Sequence, residues 1–212
     1  MNKKGRFFVL EGIDGSGTTT QVKCLHARLE QQGLLVRSTC EPSKGPIGSM
    51  IRQVLTGRLL AAGSQAPSWA AMALLFAADR LDHVAAEIEP IVEAGGIVIS
   101  DRYDASSLAY QSVTSGGDPG ALDWIRSLNR HAMRPDLTIV LDISSEHASA
   151  RRQARGEEPE LYERSEIQLA LSSFYRNLQT HMPNDPVVVV DGAGSIDQVT
   201  ERIVSAIEST IA

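Results

Sequence analysis

Residues Gly12 to Thr20 read Gly-Ile-Asp-Gly-Ser-Gly-Thr-Thr-Thr and follow a short apolar run that ends in Glu11. Gly12, Gly17 and Thr19 match the spacing of a phosphate-binding loop, G-x-x-x-x-G-K-[ST]. Position 18, where the lysine belongs, is Thr18. Such a loop binds anions largely through its backbone. Gly12, Gly15 and Gly17 allow the N–H groups around Ile13, Asp14, Ser16, Thr18 and Thr20 to turn inward. The helix that follows adds the partial positive charge of its N-terminus. Thr19 can offer its hydroxyl to Mg²⁺. Other apolar runs also end in groups of kinds that suit phosphate and metal: Glu41-Pro42-Ser43-Lys44, Asp101-Arg102-Tyr103-Asp104, and Asp191-Gly192, while Asp142 is read as holding the fold together rather than touching substrate. Arg102 can grip a phosphate through two hydrogen bonds, or form a salt bridge to a neighbouring acid. Asp101 ends its run as a metal-side carboxylate of a P-loop enzyme does, or else caps the next helix. Asp14 suits a sugar hydroxyl or the organisation of metal and phosphates, with a turn residue accepting backbone N–H bonds as its rival.

These groups converge only if the runs are neighbouring strands. The strand candidates are Phe7–Glu11, Leu34–Cys40, Ile97–Asp101, Leu137–Ile143 and Val187–Asp191, and most are nearly continuous in apolar residues. That pattern fits strands buried on both faces of a parallel sheet. Helical patterns lie between them: Thr18–Gln32, Pro46–Leu55, Ser68 to about Glu93 across Pro90, Asp104–Val113, Pro119–His131, Ser145–Arg155, Ser165–Thr180, and a last helix opening on a Ser195/Gln198 capping box. The alternation predicts a doubly wound α/β domain with a five-stranded parallel sheet. In such sheets ligands sit at the carboxyl ends of the strands, where the charged clusters fall.

The chain has 212 residues, enough for one domain, with a short lid expected at about 151–164. Its net charge of −6 argues against a nucleic-acid polymer or an anionic membrane as partner, without excluding a small anion in a locally positive cleft. No stretch approaches the roughly 20 apolar residues of a membrane helix. Cys24 and Cys40 form no metal motif or disulfide framework, and the reading is a cytoplasmic protein with reduced thiols.

The chain resembles the thymidylate kinases. Glu11-Gly-Ile-Asp-Gly-Ser-Gly-x-Thr-Thr-Gln21 is similar to the family's phosphate loop apart from Thr18. Four further blocks follow in the family's order: Glu41-Pro42 with Ile47-Gly48 and Ile51-Arg52, Leu75-Phe76-Ala77-Ala78-Asp79-Arg80, Asp101-Arg102-Tyr103 through Ser106-Ser107 to Tyr110-Gln111, and Arg134-Pro135-Asp136-Leu137-Thr138 to Asp142. Cys40 stands where the family usually has arginine, and Glu160-Leu161-Tyr162-Glu163 where it often has Asp-Arg-Phe-Glu. The resemblance implies a P-loop kinase fold, ATP as donor, Mg²⁺ held by Thr19 and Asp101, dTMP as acceptor, and a homodimer, whose apolar face Trp69 and Met72 would supply unless they are core. It implies a dTMP site from Asp14, Glu41, Arg52, Phe76, Arg80, Arg102, Ser107, Tyr110 and Gln111, with Glu41 orienting Mg²⁺ or Arg102.

Phe76 and Arg80 are four apart and share a helix face, so one can stack on a pyrimidine while the other bonds its carbonyl. A core Phe beside a surface Arg is the alternative. Tyr110 can pack against a deoxyribose, or simply in the core. Arg151 and Arg155 are also four apart and are the lid cations, against a reading as a solvated charged face. Losing one charge-assisted hydrogen bond at position 18 is worth about 1.5–3 kcal/mol, roughly 10- to 100-fold in rate. Arg151, Arg155 or Lys44 can replace that charge. Phosphorylation of dTMP is thus expected, with a non-catalytic nucleotide-binding protein or a kinase for another nucleotide as alternatives.

Overall fold

The computed structural model describes residues 4–155, 161–162 and 164–211. Strand β1 (Arg6–Glu11) explains its own apolar run. Phe8 and Leu10 belong to one core cluster and Phe7 and Val9 to another, because alternate side chains point to opposite faces of the sheet. Helix α1 (Thr18–Gln31) follows the phosphate loop, then β2 (Val36–Cys40) and α2 (Pro46–Leu55). Helix α3 (Trp69–His83) starts where Ser68 Oγ accepts from Ala71 N at 3.2 Å. It passes through a π-helical turn (Val84–Ile88) into α4 (Glu89–Glu93). The expected long helix is therefore continuous in path but not in hydrogen bonding. Pro90 has no N–H to donate, and the wider turn just before it absorbs the mismatch.

Strand β3 (Ile97–Asp101), α5 (Asp104–Val113), α6 (Ala121–Leu128) and β4 (Leu137–Asp142) come next. Helix α6 is shorter than its pattern because Asp118 Oδ1 accepts from Gly120 N at 2.8 Å and holds residues 118–120 in a turn. Helices α7 (Ser145–Arg155), α8 (Ser165–Arg176) and α9 (Leu178–His181) precede β5 (Val187–Asp191) and α10 (Ile196–Ile211). The expected Ser165–Thr180 helix breaks at Asn177 (φ −102°, ψ 16°). The capping box forms: Ser195 N donates to Gln198 Oε1 at 3.0 Å and Gln198 N to Ser195 Oγ at 3.3 Å.

The sheet has five strands in the order β2-β3-β1-β4-β5, all parallel. The two edge strands are the least buried. The chain crosses from one side of β1 to the other after β3, so the loops after β1, β2 and β3 open onto one cleft. Among the described residues no helix is long and apolar enough to cross a membrane.

Candidate active site

The phosphate loop is shaped by contacts from α7. Gly15 has φ 91°, and a Cβ there would lie 2.4 Å from the carbonyl oxygen of Ala148. Only glycine allows that approach. Two arginines of α7 then grip the outer face of the loop. Arg151 Nη1 donates to Ser16 O at 3.0 Å, and Arg152 Nη1 donates to the carbonyl of Asp14. Asp14 N is engaged by Gln168 Oε1 at 3.2 Å and Ser16 N by Ile13 O at 3.0 Å, so with the carbonyls fixed outward it is the first-turn N–H groups of α1 that are left for a ligand. Arg151 Nη1 lies 3.5 Å from where a Gly17 Cβ would stand. A guanidinium is thus next to the loop whose lysine is replaced by the buried Thr18. The side chain of Arg155 lies outside the described residues, as do residues 156–160 and 163 of the expected lid.

A cleft of about 700 Å³ runs along the loop, lined by residues 14–21, Asp101, Arg102, Arg151 and Arg52. Thr19 Oγ1 donates to Asp101 Oδ2 at 2.5 Å, while Asp101 Oδ1 is buried without a partner. A hydroxyl beside a half-used carboxylate is an oxygen donor set that fits Mg²⁺. Among the described residues no group of three or more His, Cys, Asp or Glu could hold a metal. Any ion here would complete its shell with phosphate oxygens and water. Arg52 donates through Nη1 to Pro42 O at 2.5 Å and through Nη2 to Ser43 O, so it buttresses the loop after β2 from the edge of this cleft.

Arg102 and Asp14 form the junction. Arg102 has φ 72°, a left-handed conformation that costs a non-glycine residue about 1–3 kcal/mol and is commonest at functional sites. Its Nη2 donates to Asp14 Oδ1 at 2.7 Å, and its Nη1 to Gly12 O at 3.0 Å and Ser106 Oγ at 3.2 Å. Tyr110 Oη and Gln168 Nε2 also donate to Asp14, at 3.0 and 2.7 Å. Beneath them Glu11 is fully buried and accepts from Tyr103 N, Ser106 N, Ser106 Oγ and Tyr175 Oη at 2.6–3.1 Å. Burial pushes its carboxyl up to about 7, against the opposing pull of Arg102 and these donors.

Across the junction lies a smaller pocket of about 120 Å³, walled by Phe76, Arg80, Ser107, Tyr110, Gln111 and Tyr162. Arg80 is buried rather than a surface arginine. Its Nη2 donates to Glu41 Oε2 at 2.7 Å and to Tyr103 O and Ser107 Oγ at 3.0 Å, and its Nη1 donates to Asn129 Oδ1. Its Nε is buried and unpartnered, as is Gln111 Oε1. Two residues of the pocket wall therefore each carry a buried polar atom, one a donor and one an acceptor, with nothing to bond. Glu41 lines both cavities, but its carboxylate is engaged by Arg80 and His83 rather than by Arg102 or Thr19.

The structure brings Asp14, Phe76, Arg80, Arg102, Ser107, Tyr110 and Gln111 around one pocket, with Thr19, Asp101, Arg52 and Arg151 along the adjoining cleft. It adds residues to which the sequence reading gave no role: Glu11, His83, Arg152, Tyr162, Gln168 and Tyr175. Some left a trace. Phe76, Arg80 and His83 share a helical spacing, and Gln168 and Tyr175 are seven apart on α8. Glu11 and Arg152 carry no such signal.

The thymidylate kinase family model matches residues 10–203. A probable thymidylate kinase of Pyrococcus abyssi is 40% identical over 205 residues, covering 97% of each chain. One from Thermococcus gammatolerans is 40% identical over 209 residues, with 98% of each covered. A thymidylate kinase of Symbiobacterium thermophilum is 38% identical over 207 residues, covering 97% of this chain and 94% of its own. These similarities place the chain in the thymidylate kinase family.

Proposed function

We propose that the protein transfers the γ-phosphoryl group of ATP to the phosphate of dTMP, yielding dTDP and ADP. The observation that carries this reading is that Arg102 and Asp14 line both cavities, so a donor in one and an acceptor in the other meet at the same guanidinium. The loop amides and the α1 N-terminus take the donor phosphates. Arg102 holds the acceptor phosphate in line, with Asp14 and the strained backbone fixing its direction. Arg151, exposed at the lip of the loop, neutralises charge on the donor side. Thr19 and Asp101 would hold Mg²⁺, which when bound neutralises charge on the donor phosphates.

Base choice follows from the two unpartnered groups. Arg80 Nε–H offers a donor and Gln111 Oε1 an acceptor. Thymine presents a carbonyl next to an N–H and satisfies both. Cytosine reverses that order and would leave both unpaired, a penalty of about 1–3 kcal/mol per buried group. Phe76 stacks on the ring, and Tyr110 bulks against a 2′-hydroxyl. A coupled ADP-release assay with ATP and Mg²⁺ tests this: turnover with dTMP should exceed that with dCMP, dGMP or UMP. Tight dTMP binding without turnover would leave a nucleotide-binding protein instead.

A homodimer goes with this reading. Met72 is in the core and so unavailable to a second copy, while Trp69 is partly buried edge-on against Trp124. Leu74 and Leu81, seven apart on α3, are 52% and 41% exposed and supply the face for one. Sedimentation of the wild type and of Leu74→Glu, expected to be dimer and monomer, checks it.

A further inference from the structure

His83 lines neither cavity, yet it is entirely buried directly behind the base pocket. Its Nδ1 lies 3.2 Å from Glu41 Oε1 and its Nε2 lies 2.6 Å from Thr39 Oγ1. Glu41 Oε2 in turn accepts from Arg80 Nη2 at 2.7 Å. Side-chain exposures are 0% for His83, 2% for Glu41 and 1% for Arg80. Thr39, His83, Glu41 and Arg80 therefore form a connected chain whose last three members see no water. With Thr39 Oγ–H donating to Nε2, the ring carries its proton on Nδ1 and donates it to Glu41. The Thr39 hydroxyl also lies 3.3 Å from Glu87 Oε2, a longer alternative acceptor.

A carboxylate turns easily about its last torsion. Held by Arg80 alone, Glu41 would keep one buried oxygen unsatisfied, and a small rotation would weaken the one charged contact of a guanidinium whose other acceptors, Asn129, Tyr103 O and Ser107, are neutral. His83 takes that second oxygen. The neighbouring loop is pinned to α3 as well, since Asp79 accepts from Ser43 N at 2.7 Å and from Ser43 Oγ at 2.6 Å. Residues 41–43 are thus locked to the helix that carries Phe76 and Arg80.

We infer that His83 is a positioning residue for base recognition: it fixes Glu41, and through Glu41 it orients Arg80 so that Nε–H meets the pyrimidine carbonyl. This rests on the dTMP reading of the pocket. The binding effect is that of one buried hydrogen bond, about 3- to 10-fold in affinity.

The test is steady-state kinetics of wild type, His83→Phe, His83→Asn and Thr39→Val, with dTMP and dCMP as acceptors. His83→Phe should raise KM for dTMP by about tenfold and narrow the preference for dTMP over dCMP, with kcat and KM for ATP within about twofold. His83→Asn retains an N–H towards Glu41 and should recover most of the KM. Thr39→Val, which leaves every buried ionisable group in place, should shift KM for dTMP in the same direction by about threefold. Losses in kcat and in both KM values together, not relieved by asparagine, would mean a merely structural histidine and overturn the inference. So would an unchanged KM in His83→Phe when the wild type turns dTMP over. If wild type shows no heat of binding with dTMP, the pocket reading itself fails and this inference falls with it.

Discussion

The two sides of the cleft are built by different means. On the side proposed for phosphate the lining is loop backbone, a helix end and the exposed Arg151. On the other side the lining side chains Glu41, Arg80 and Ser107 are packed out of water and tied to one another, with His83 and Asn129 holding them from behind. Backbone anion binding tolerates the loss of a side chain because the amides remain. A buried charged network does not, because removing one member strands its partners. Thr18 in place of the loop lysine is a change on the tolerant side.

Cutting the base side should have the largest effect. Arg80→Met leaves Glu41 beside His83 without its main countercharge and should destabilise the fold by about 3–5 kcal/mol, read by urea unfolding, besides abolishing the preference for dTMP. If the loss is under 1 kcal/mol, the network is not the rigid half of the site. Arg102→Ala, at the junction, should lower kcat by about 10²–10³. Because Arg102 is the countercharge to Asp14, Arg102→Lys should recover part of the stability but little of the rate.

Glu11 sharpens the contrast through pH. Its folded carboxyl is raised from 4.5 to about 7, so between those values the folded state binds more protons than the unfolded one. Stability from this residue is therefore greatest below about pH 4.5 and falls as pH rises through 7, by up to about 3 kcal/mol. Urea unfolding of wild type and Glu11→Gln from pH 5 to 8 should show that decline flattened in the variant. An equal decline in both would place the titration elsewhere.

The phosphate side should yield the smallest effects. Arg151→Ala should cost about 10- to 100-fold in kcat/KM with most of it in the ATP terms, since one charge-assisted bond is lost. Thr18→Lys should gain less than about tenfold if Arg151 already stands in for the lysine, and the gain should grow in the Arg151→Ala background. A gain near 100-fold in the wild-type background would show that nothing had taken over the charge.

Much of this was legible in the chain because it is local. Apolar runs and glycine spacing announced the strands and the phosphate loop, and Phe76/Arg80 spacing announced a shared face. The misses arose where distance in sequence hid proximity in space. Arg152 reaches the carbonyl of Asp14 across 138 positions, and Tyr175 reaches Glu11 across 164. Charge also misled: Glu41 looked free to orient metal or Arg102, but packing gave it Arg80 and His83 first.

The α/β alternation, the glycine loop and the kinds of group at the strand ends are written locally in the chain, since they depend on periodicity and backbone freedom within a few residues. Tertiary structure alone decided which guanidinium meets which carboxylate. It set Arg151 against the loop, tied Arg80 to Glu41 and Glu41 to His83, and left Arg80 Nε and Gln111 Oε1 buried without partners. A charged side chain has many possible partners in a chain of this composition, and only the packing of helices on the sheet removes water and selects one.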